Sequence, residues 1–340
     1  MSVSLLLGLV IAVVVVALIF DFINGFHDTA NAIATVVSTG VLPLRTAIYL
    51  AALLNFVGAF TGTAVASTIG KGIITPGTIT LVVIFSALVG AIFWNLFTWY
   101  YGIPSSSSHA MVGGLIGAGI AHSGTASIQT AGLTKIVTSL IVSPIVGMLV
   151  AFTFMILLYW VFRRAAPIGT STLFRRLQMA SAGFMALSHG SNDAQKTMGI
   201  ITMSLVAAGY MALPESGKLA VPLWVVIASA TAMGLGTAAG GVRIIKTLGT
   251  KIIDLKPMHG FAAETAAATV IFTASHYGLP VSTTHCISGS ILGVGASQSV
   301  SAVRWGITTR ILWAWVLTIP VSALSAFIVY WPSTLLAGQQ

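Results

Sequence analysis

The chain has 340 residues, is 56% hydrophobic and 6% charged, carries six carboxylates in all, and has a mean hydropathy of +1.00, which excludes a soluble globular protein. The formal net charge of +9 does not indicate a nucleic-acid partner, because Lys and Arg fall at the ends of apolar segments rather than in a stripe or tail. The single Cys286 excludes an intramolecular disulfide and a cysteine metal cluster, and reads as a small packing residue.

In chain order, the first apolar span covers 4–22. No small-residue cleavage site follows it, so a retained helix is expected rather than a signal peptide. Asp21 falls at its end, and the polar run Asn24-Gly25-Phe26-His27-Asp28-Thr29-Ala30-Asn31 follows directly. The stretch 24–42 reads equally as a half-helix, a re-entrant segment or a further crossing. Other spans are predicted at 46–68, 78–99, 108–122, 136–162, 177–190 with 197–212, 221–241, 259–277, 283–299 and 309–331. A full crossing needs about 20 apolar residues. Several of these are shorter or interrupted by Gly, Pro or polar clusters, which predicts discontinuous helices and about ten to twelve crossings.

Two polar motifs occur twice. Gly102-Ile103-Pro104-Ser105-Ser106-Ser107-Ser108-His109 returns as Gly278-Leu279-Pro280-Val281-Ser282-Thr283-Thr284-His285. Each copy leads into a glycine-rich apolar helix, with Gly113, Gly117 and Gly119 answered by Gly289, Gly293 and Gly295. The run at 24–31 has its counterpart in His189-Gly190-Ser191-Asn192-Asp193-Ala194-Gln195-Lys196. The expected fold is therefore an all-α integral membrane protein of two repeats whose broken or re-entrant helices meet at the membrane midplane. The repeats are assigned to 1–162 and 177–340, joined by a basic cytoplasmic loop at 163–176.

With the N-terminus outside and five crossings per half, Arg45, Arg163, Arg164, Arg175, Arg176, Arg243, Lys246, Lys251, Lys256, Arg304 and Arg310 all fall inside. Lys71, Lys135 and Lys218 fall outside. This bias favours that orientation, and an odd number of crossings per half makes the repeats inverted. The basic, isoleucine-rich stretch 243–257 reads either as a helix lying flat at the cytoplasmic surface or as a plain loop.

A carboxylate within a membrane is costly and calls for a partner or a purpose. Asp28 and Asp193 hold equivalent places and read as a cation or proton site rather than only as helix caps. Asn31 and Asn192 add neutral oxygens suited to a hard cation. Asn31 aligns with Lys196, which either pairs with Asp193 one turn earlier or helps attract an anion. The hydroxyl runs Ser105, Ser106, Ser107, Ser108 and Ser282, Thr283, Thr284 follow Gly-x-Pro. They mark helix N-termini, where free N–H groups and hydroxyls make an anion site. His27 and His189 are candidate proton carriers. His109 and His285 read as packing residues, and no His pair has the helix spacing of a tight zinc site. Glu264 sits in an apolar segment without a counterpart in the first half and reads as a cation or proton group. Glu215 and Asp254 read as loop residues.

Two other readings are weaker. A Ser–His dyad of Ser106 or Ser108 with His109 fails because neighbouring residues on a helix do not face one another. A channel fits buried carboxylates in both halves less well than ion coupling does.

These motifs resemble the inorganic phosphate transporter (PiT) family, in particular its short bacterial low-affinity permease branch. Asn24 to Ala32 is similar to its first signature, Ser188-His189-Gly190-Ser191-Asn192-Asp193-Ala194-Gln195-Lys196-Thr197-Met198-Gly199 to its second, and 278–285 to a third, in the same order and over nearly the whole chain. The resemblance implies a multi-pass cell-membrane symporter, not an enzyme. It would import inorganic phosphate, free or as a metal–phosphate complex, by alternating access and as a homodimer, without a cofactor or a nucleic-acid partner. It also implies ion and substrate roles for Asp28, Asn31, Asn192, Asp193 and the two hydroxyl runs, with Gln195 and Lys196 of the second signature beside the phosphate. Sodium-coupled members carry a glutamate where this chain has Asn55, although Glu264 is kept. The expected coupling ion is therefore H⁺, with Na⁺ as the alternative, and a sulfate permease of the same family is the alternative for substrate.

Overall fold

The apolar runs fold into twelve α-helices among residues 3–75, 78–212 and 219–336, the residues that this computed structural model describes. The first six are α1 (Val3–Ser38), α2 (Leu44–Gly58), α3 (Ala64–Gly72), α4 (Leu81–Tyr100), α5 (Ser107–Ser123) and α6 (Thr130–Phe162). The second six are α7 (Pro167–Ala207), α8 (Leu223–Ala239), α9 (Val242–Thr250), α10 (Pro257–His276), α11 (Thr283–Gln298) and α12 (Trp305–Leu336). Among the described residues the order long, short, very short, long, short, long occurs twice, which is consistent with the repeat read from two motifs. Glu215 and Lys218 lie outside the described residues.

Helices α1, α4, α6 and α12 are each long and apolar enough to cross a membrane, and α8 with α9, bent by 72°, makes a fifth candidate span. Outward-facing Ile141, Ile145, Leu149, Trp313, Val316 and Leu324 on α6 and α12 are exposed, while the polar motifs are buried. This is the reverse of a water-soluble surface and suits lipid. Helices α5 and α11, of 17 and 16 residues, reach only about 25 Å at 1.5 Å per residue. That is short of a hydrocarbon core of about 30 Å.

The helix breaks lie elsewhere than the polar motifs predict. The Asp28 and Asp193 motifs do not interrupt their helices: α1 runs unbroken for 36 residues and α7 for 41. The stretch 24–38 continues α1, and 177–190 and 197–207 are one helix. No proline or glycine pair stands in either motif to break it, and the side chains find partners without unwinding. Interruptions fall between α2 and α3, within the expected span 46–68, at the bend between α8 and α9, and before the hydroxyl runs. Gly102 and Gly278 adopt left-handed backbone (φ 65° and 66°) at the ends of α4 and α10, a conformation that glycine takes without strain. Pro104 and Pro280 follow. Helix α7 starts at Pro167, so residues 167–176 are its first turns and only 163–166 connect the halves. The stretch 243–257 is not a plain loop: residues 243–250 lie in helix α9, with Arg243 and Lys246 exposed on the face opposite its buried isoleucines. Helix α9 packs against α1 and α4, and Ile244, Ile245, Leu248, Ile252 and Ile253 are buried.

The two halves interlock. Helix α5 packs on α12 and α11 on α6, while α1 packs on α8 and α9 as α7 packs on α2 and α3. The close crossings need glycine: a Cβ at Gly117 would fall on the Ala323 carbonyl of α12, and one at Gly293 on the Met148 carbonyl of α6. Two apolar cores result. Helix α1 gives Val13, Ala17 and Phe20 to the first and Ile33, Ala34 and Val36 to the second. Helix α7 gives Phe174, Ala182 and Met185 to the second and Ala194, Met198 and Ile201 to the first. The equivalent helices therefore run in opposite directions between the cores, and the polar motifs lie between them.

Candidate functional site

Polar side chains recur along α1 at Asp21, Asn24, Asp28, Asn31 and Thr35, all buried. Alternating steps of three and four residues put them on one helix face. Into the middle of this face point the N-termini of α5 and α11. Ser106 and Ser282 are the N-caps, each accepting from the backbone N–H three residues on, His109 and His285, at 3.2 Å. A helix leaves its first amides without intrahelical partners. The caps take those of His109 and His285, and the amides at the very start of each helix have no intrahelical partner.

Asp28 joins the two termini. Ser107 Oγ of α5 donates to Asp28 Oδ2 at 2.9 Å, and Thr284 Oγ1 of α11 donates to Oδ1 at 3.3 Å. His27 Nδ1 lies 2.6 Å from Oδ1, and its Nε2 lies 3.1 Å from Thr98 Oγ1 and 3.4 Å from Ser105 Oγ. Asn31 Nδ2 donates to Thr284 at 2.9 Å and Thr283 at 3.3 Å. Ser107 Oγ also lies 2.6 Å from Asn24 Oδ1, so its one proton is shared between Asn24 and Asp28, while Asn24 Nδ2 and Asn31 Oδ1 have no partner.

The second motif is organised differently. Lys196 Nζ pairs with Asp193 Oδ1 and also donates to Ser108 Oγ and, at 3.1 Å, to the Val281 carbonyl. Its ammonium thus ties α7 to the start of α5 and to the break before α11. Thr283 donates to Asp193 Oδ2 at 3.1 Å, and His189 Nε2 lies 3.1 Å from the same oxygen. His189 Nδ1 meets Asn55 Oδ1 at 3.1 Å, and Asn55 donates to Thr237 at 2.8 Å. Asn55 is thus linked to Asp193 through the histidine, not placed beside the carboxylates. Asn192 donates to Ser275 at 2.8 Å, with its Oδ1 unpartnered. Ligand atoms of Asp28, His189 and Asp193 all lie within 4.8 Å of one another. This convergence of two helices is invisible to spacing along one, on which the expectation of no metal-like His arrangement rested.

Two residues that the sequence marks as candidates stand apart. Gln195 caps α3, accepting from Val65 N–H at 2.9 Å and donating to the Ser191 carbonyl at 2.6 Å. Glu264 lies two turns along α1 from Asp28 and forms its own cluster, accepting from Thr35, Ser181 and Gln178. His109 and His285 stack on each other, centroids 4.4 Å apart, and His285 stacks on Trp315 at 3.8 Å, so they pack behind the termini. Asn24 opens the first polar motif without a role of its own, and Thr35, Gln178 and Ser181 lie outside the motifs. The polar heptad-like face of α1 would have signalled the first two. Apart from half-buried Trp315, these side chains are buried, so the site is closed to solvent.

The phosphate transporter family matches this chain over residues 24–171 and again over 163–326. The chain belongs to that family. The first match runs from within α1 into the first turns of α7, and the second from just after α6 into α12. A relative from Rhizobium meliloti (strain 1021) is 49% identical over 338 residues, covering 99% of this chain and 100% of its own length. One from Bacillus subtilis (strain 168) is 51% identical over 329 residues, 96% of this chain and 98% of its own. Both bear the name "Probable low-affinity inorganic phosphate transporter". A solved structure, "The sodium-dependent phosphate transporter", superposes with a TM-score of 0.90 at 26% identity, over 97% of this chain and 100% of that one. This phosphate transporter family member is a membrane transport protein and not an enzyme.

Proposed function

We propose that the chain imports phosphate as a proton-coupled symporter, by alternating access. The observation that carries this reading is that Asp28 takes hydroxyls from the N-termini of both α5 and α11, one from each half. Two facing helix N-termini attract an anion, and here the anion they hold is the protein's own carboxylate. Phosphate would use the same groups: the leading amides of α5 and α11, the hydroxyls of Ser107, Thr283 and Thr284, and the amides of Asn24 and Asn31. Carboxylate and phosphate repel each other strongly in a site away from water. A cation arriving first removes that repulsion and frees the hydroxyls, so anion entry depends on cation entry. The opposite run of α1 and α7 between the two cores supports an inverted repeat, and rocking of one half against the other would then expose the site to each face in turn.

Arg175 on the Gly40 carbonyl and Arg304 on Asp254 belong to one strongly basic end of the molecule, which supports a cytoplasmic placement of that end and an N-terminus outside. A homodimer rests on family resemblance alone, and cross-linking in the membrane tests it.

Sodium coupling is a second reading, favoured by the converging Asp28, His189 and Asp193 atoms and by the name of the structural neighbour. Against it, Lys196 already supplies Asp193 with a fixed positive charge. Radiolabelled phosphate uptake into proteoliposomes, with an inward proton gradient, no sodium and excess unlabelled sulfate, separates the readings. Accumulation that resists sulfate and collapses with a protonophore supports proton-coupled phosphate import. Uptake only after sodium is added overturns the proton, and loss of signal to sulfate overturns the substrate.

A further inference from the structure

Four carboxylates are buried among the described residues: Asp21, Asp28, Asp193 and Glu264. Three have donors. Asp28 has His27, Ser107 and Thr284; Asp193 has Lys196 and Thr283, with His189 Nε2 3.1 Å away; Glu264 has Thr35, Ser181 and Gln178. Asp21 differs. It is 0% exposed, and neither of its oxygens has a hydrogen-bond partner. Across the α1–α7 contact it faces Thr197, whose Oγ1 is also buried and unpartnered. The equivalent positions by motif alignment are Ala186 and Ala32, two alanines packed in the second apolar core. One end of the molecule therefore carries an acid and a hydroxyl where the other carries methyl groups.

An ionised carboxylate with at most the single Thr197 hydroxyl beside it costs several kcal/mol in such a place, and structural packing would be served by the alanine that the other half uses. A hard metal cation takes about six oxygen ligands, whereas Asp21 and Thr197 together offer three. A proton needs one carboxylate oxygen and one acceptor, and those two residues supply both. We propose that Asp21 is the residue that binds the transported proton. The proton joins an Oδ of Asp21 as an O–H that donates to Thr197 Oγ1, and it leaves to water on the opposite face of the membrane, restoring the carboxylate. This rests on the proton-coupled reading above and moves the coupling proton from the phosphate-facing carboxylates to a position two turns away on α1, on the side away from the basic end.

The charged groups within electrostatic reach are Asp193 and Lys196 of α7, which are paired with each other. Helix α8 brings no titratable side chain, and α4 brings only Tyr100, exposed at its far end with Arg243 over its ring. Ionised Asp21 thus adds an uncompensated negative charge near the phosphate site, and protonation removes it, so phosphate binds more readily to the protonated form.

The test compares wild type with Asp21→Asn, an isostere of the protonated acid, in proteoliposomes without sodium. Asp21→Asn is expected to exchange internal for external labelled phosphate but to lose accumulation driven by the proton gradient. Gradient-driven accumulation equal to wild type overturns the assignment while leaving proton coupling intact. If the wild type itself accumulates nothing without sodium, proton coupling falls and this assignment falls with it. Thr197→Val, which changes the acceptor and keeps the shape, guards against a variant that fails to fold. It is expected to move the pH of half-maximal uptake, and an unmoved profile counts against Asp21.

Discussion

Asp28 and Asp193 occupy equivalent places on equivalent helices, yet they keep different company. Asp28 is held by hydroxyls that belong to two other helices and by a neighbouring histidine, all groups that can let go. Asp193 is held by an ammonium on its own helix, which also fastens Ser108 and the Val281 carbonyl. The difference follows from one divergence between the motifs, Asn31 in the first and Lys196 in the second. Duplication built two like carboxylates, and a lysine converted one into a permanent internal ion pair. The other is held only by hydroxyls and a histidine, partners that a bound anion can draw away.

The largest effect expected from this comparison is at Asp28. Asp28→Asn should abolish coupled phosphate uptake in proteoliposomes while the protein still elutes as a folded species from size exclusion. Uptake at the wild-type level would remove Asp28 from the mechanism. Next comes the fixed pair. Lys196→Met leaves Asp193 buried without its ammonium and should destabilise the protein by about 3–5 kcal/mol, read as a lower thermal midpoint in detergent. Adding Asp193→Asn to that variant should recover most of the loss; no recovery would mean that the lysine serves something other than Asp193. Smaller still are the caps. Ser106→Ala and Ser282→Ala should each cost about 1 kcal/mol and by similar amounts, since both caps have the same 3.2 Å geometry. Unequal costs would show that the two termini are not equivalent. Gln195→Ala should likewise cost about 1 kcal/mol through the α3 cap, with phosphate affinity unchanged. A weakened affinity would return Gln195 to the substrate site.

Much of this was legible in the sequence, because paired motifs mark paired structure. The hydroxyl runs announced the starts of α5 and α11, and the alignment of Asn31 with Lys196 already raised the pairing seen in the Lys196–Asp193 contact. What could not be read was tertiary. Continuity of α1 and α7 through their polar motifs depends on partners from α5 and α11 that are distant in sequence. The Glu264 cluster draws on three helices, and no spacing on α10 reveals Thr35 or Ser181. Asp21 looked like the end of a span because residues 4–20 are apolar. Only the unbroken α1 places it deep inside.

The crossed packing of α5 on α12 and α11 on α6 has a consequence for how the chain is made. Synthesis proceeds from the N-terminus, and α5 emerges with its glycine face bare until residues past 305 have been translated. No intermediate that stops short of α12 can close the first half, so the early helices must wait in the bilayer in a loosely held form. Contacts of such long sequence separation are slow to form. A truncation that removes α12 would therefore undo more than its own half: it would strip the cover from a helix completed some two hundred residues earlier.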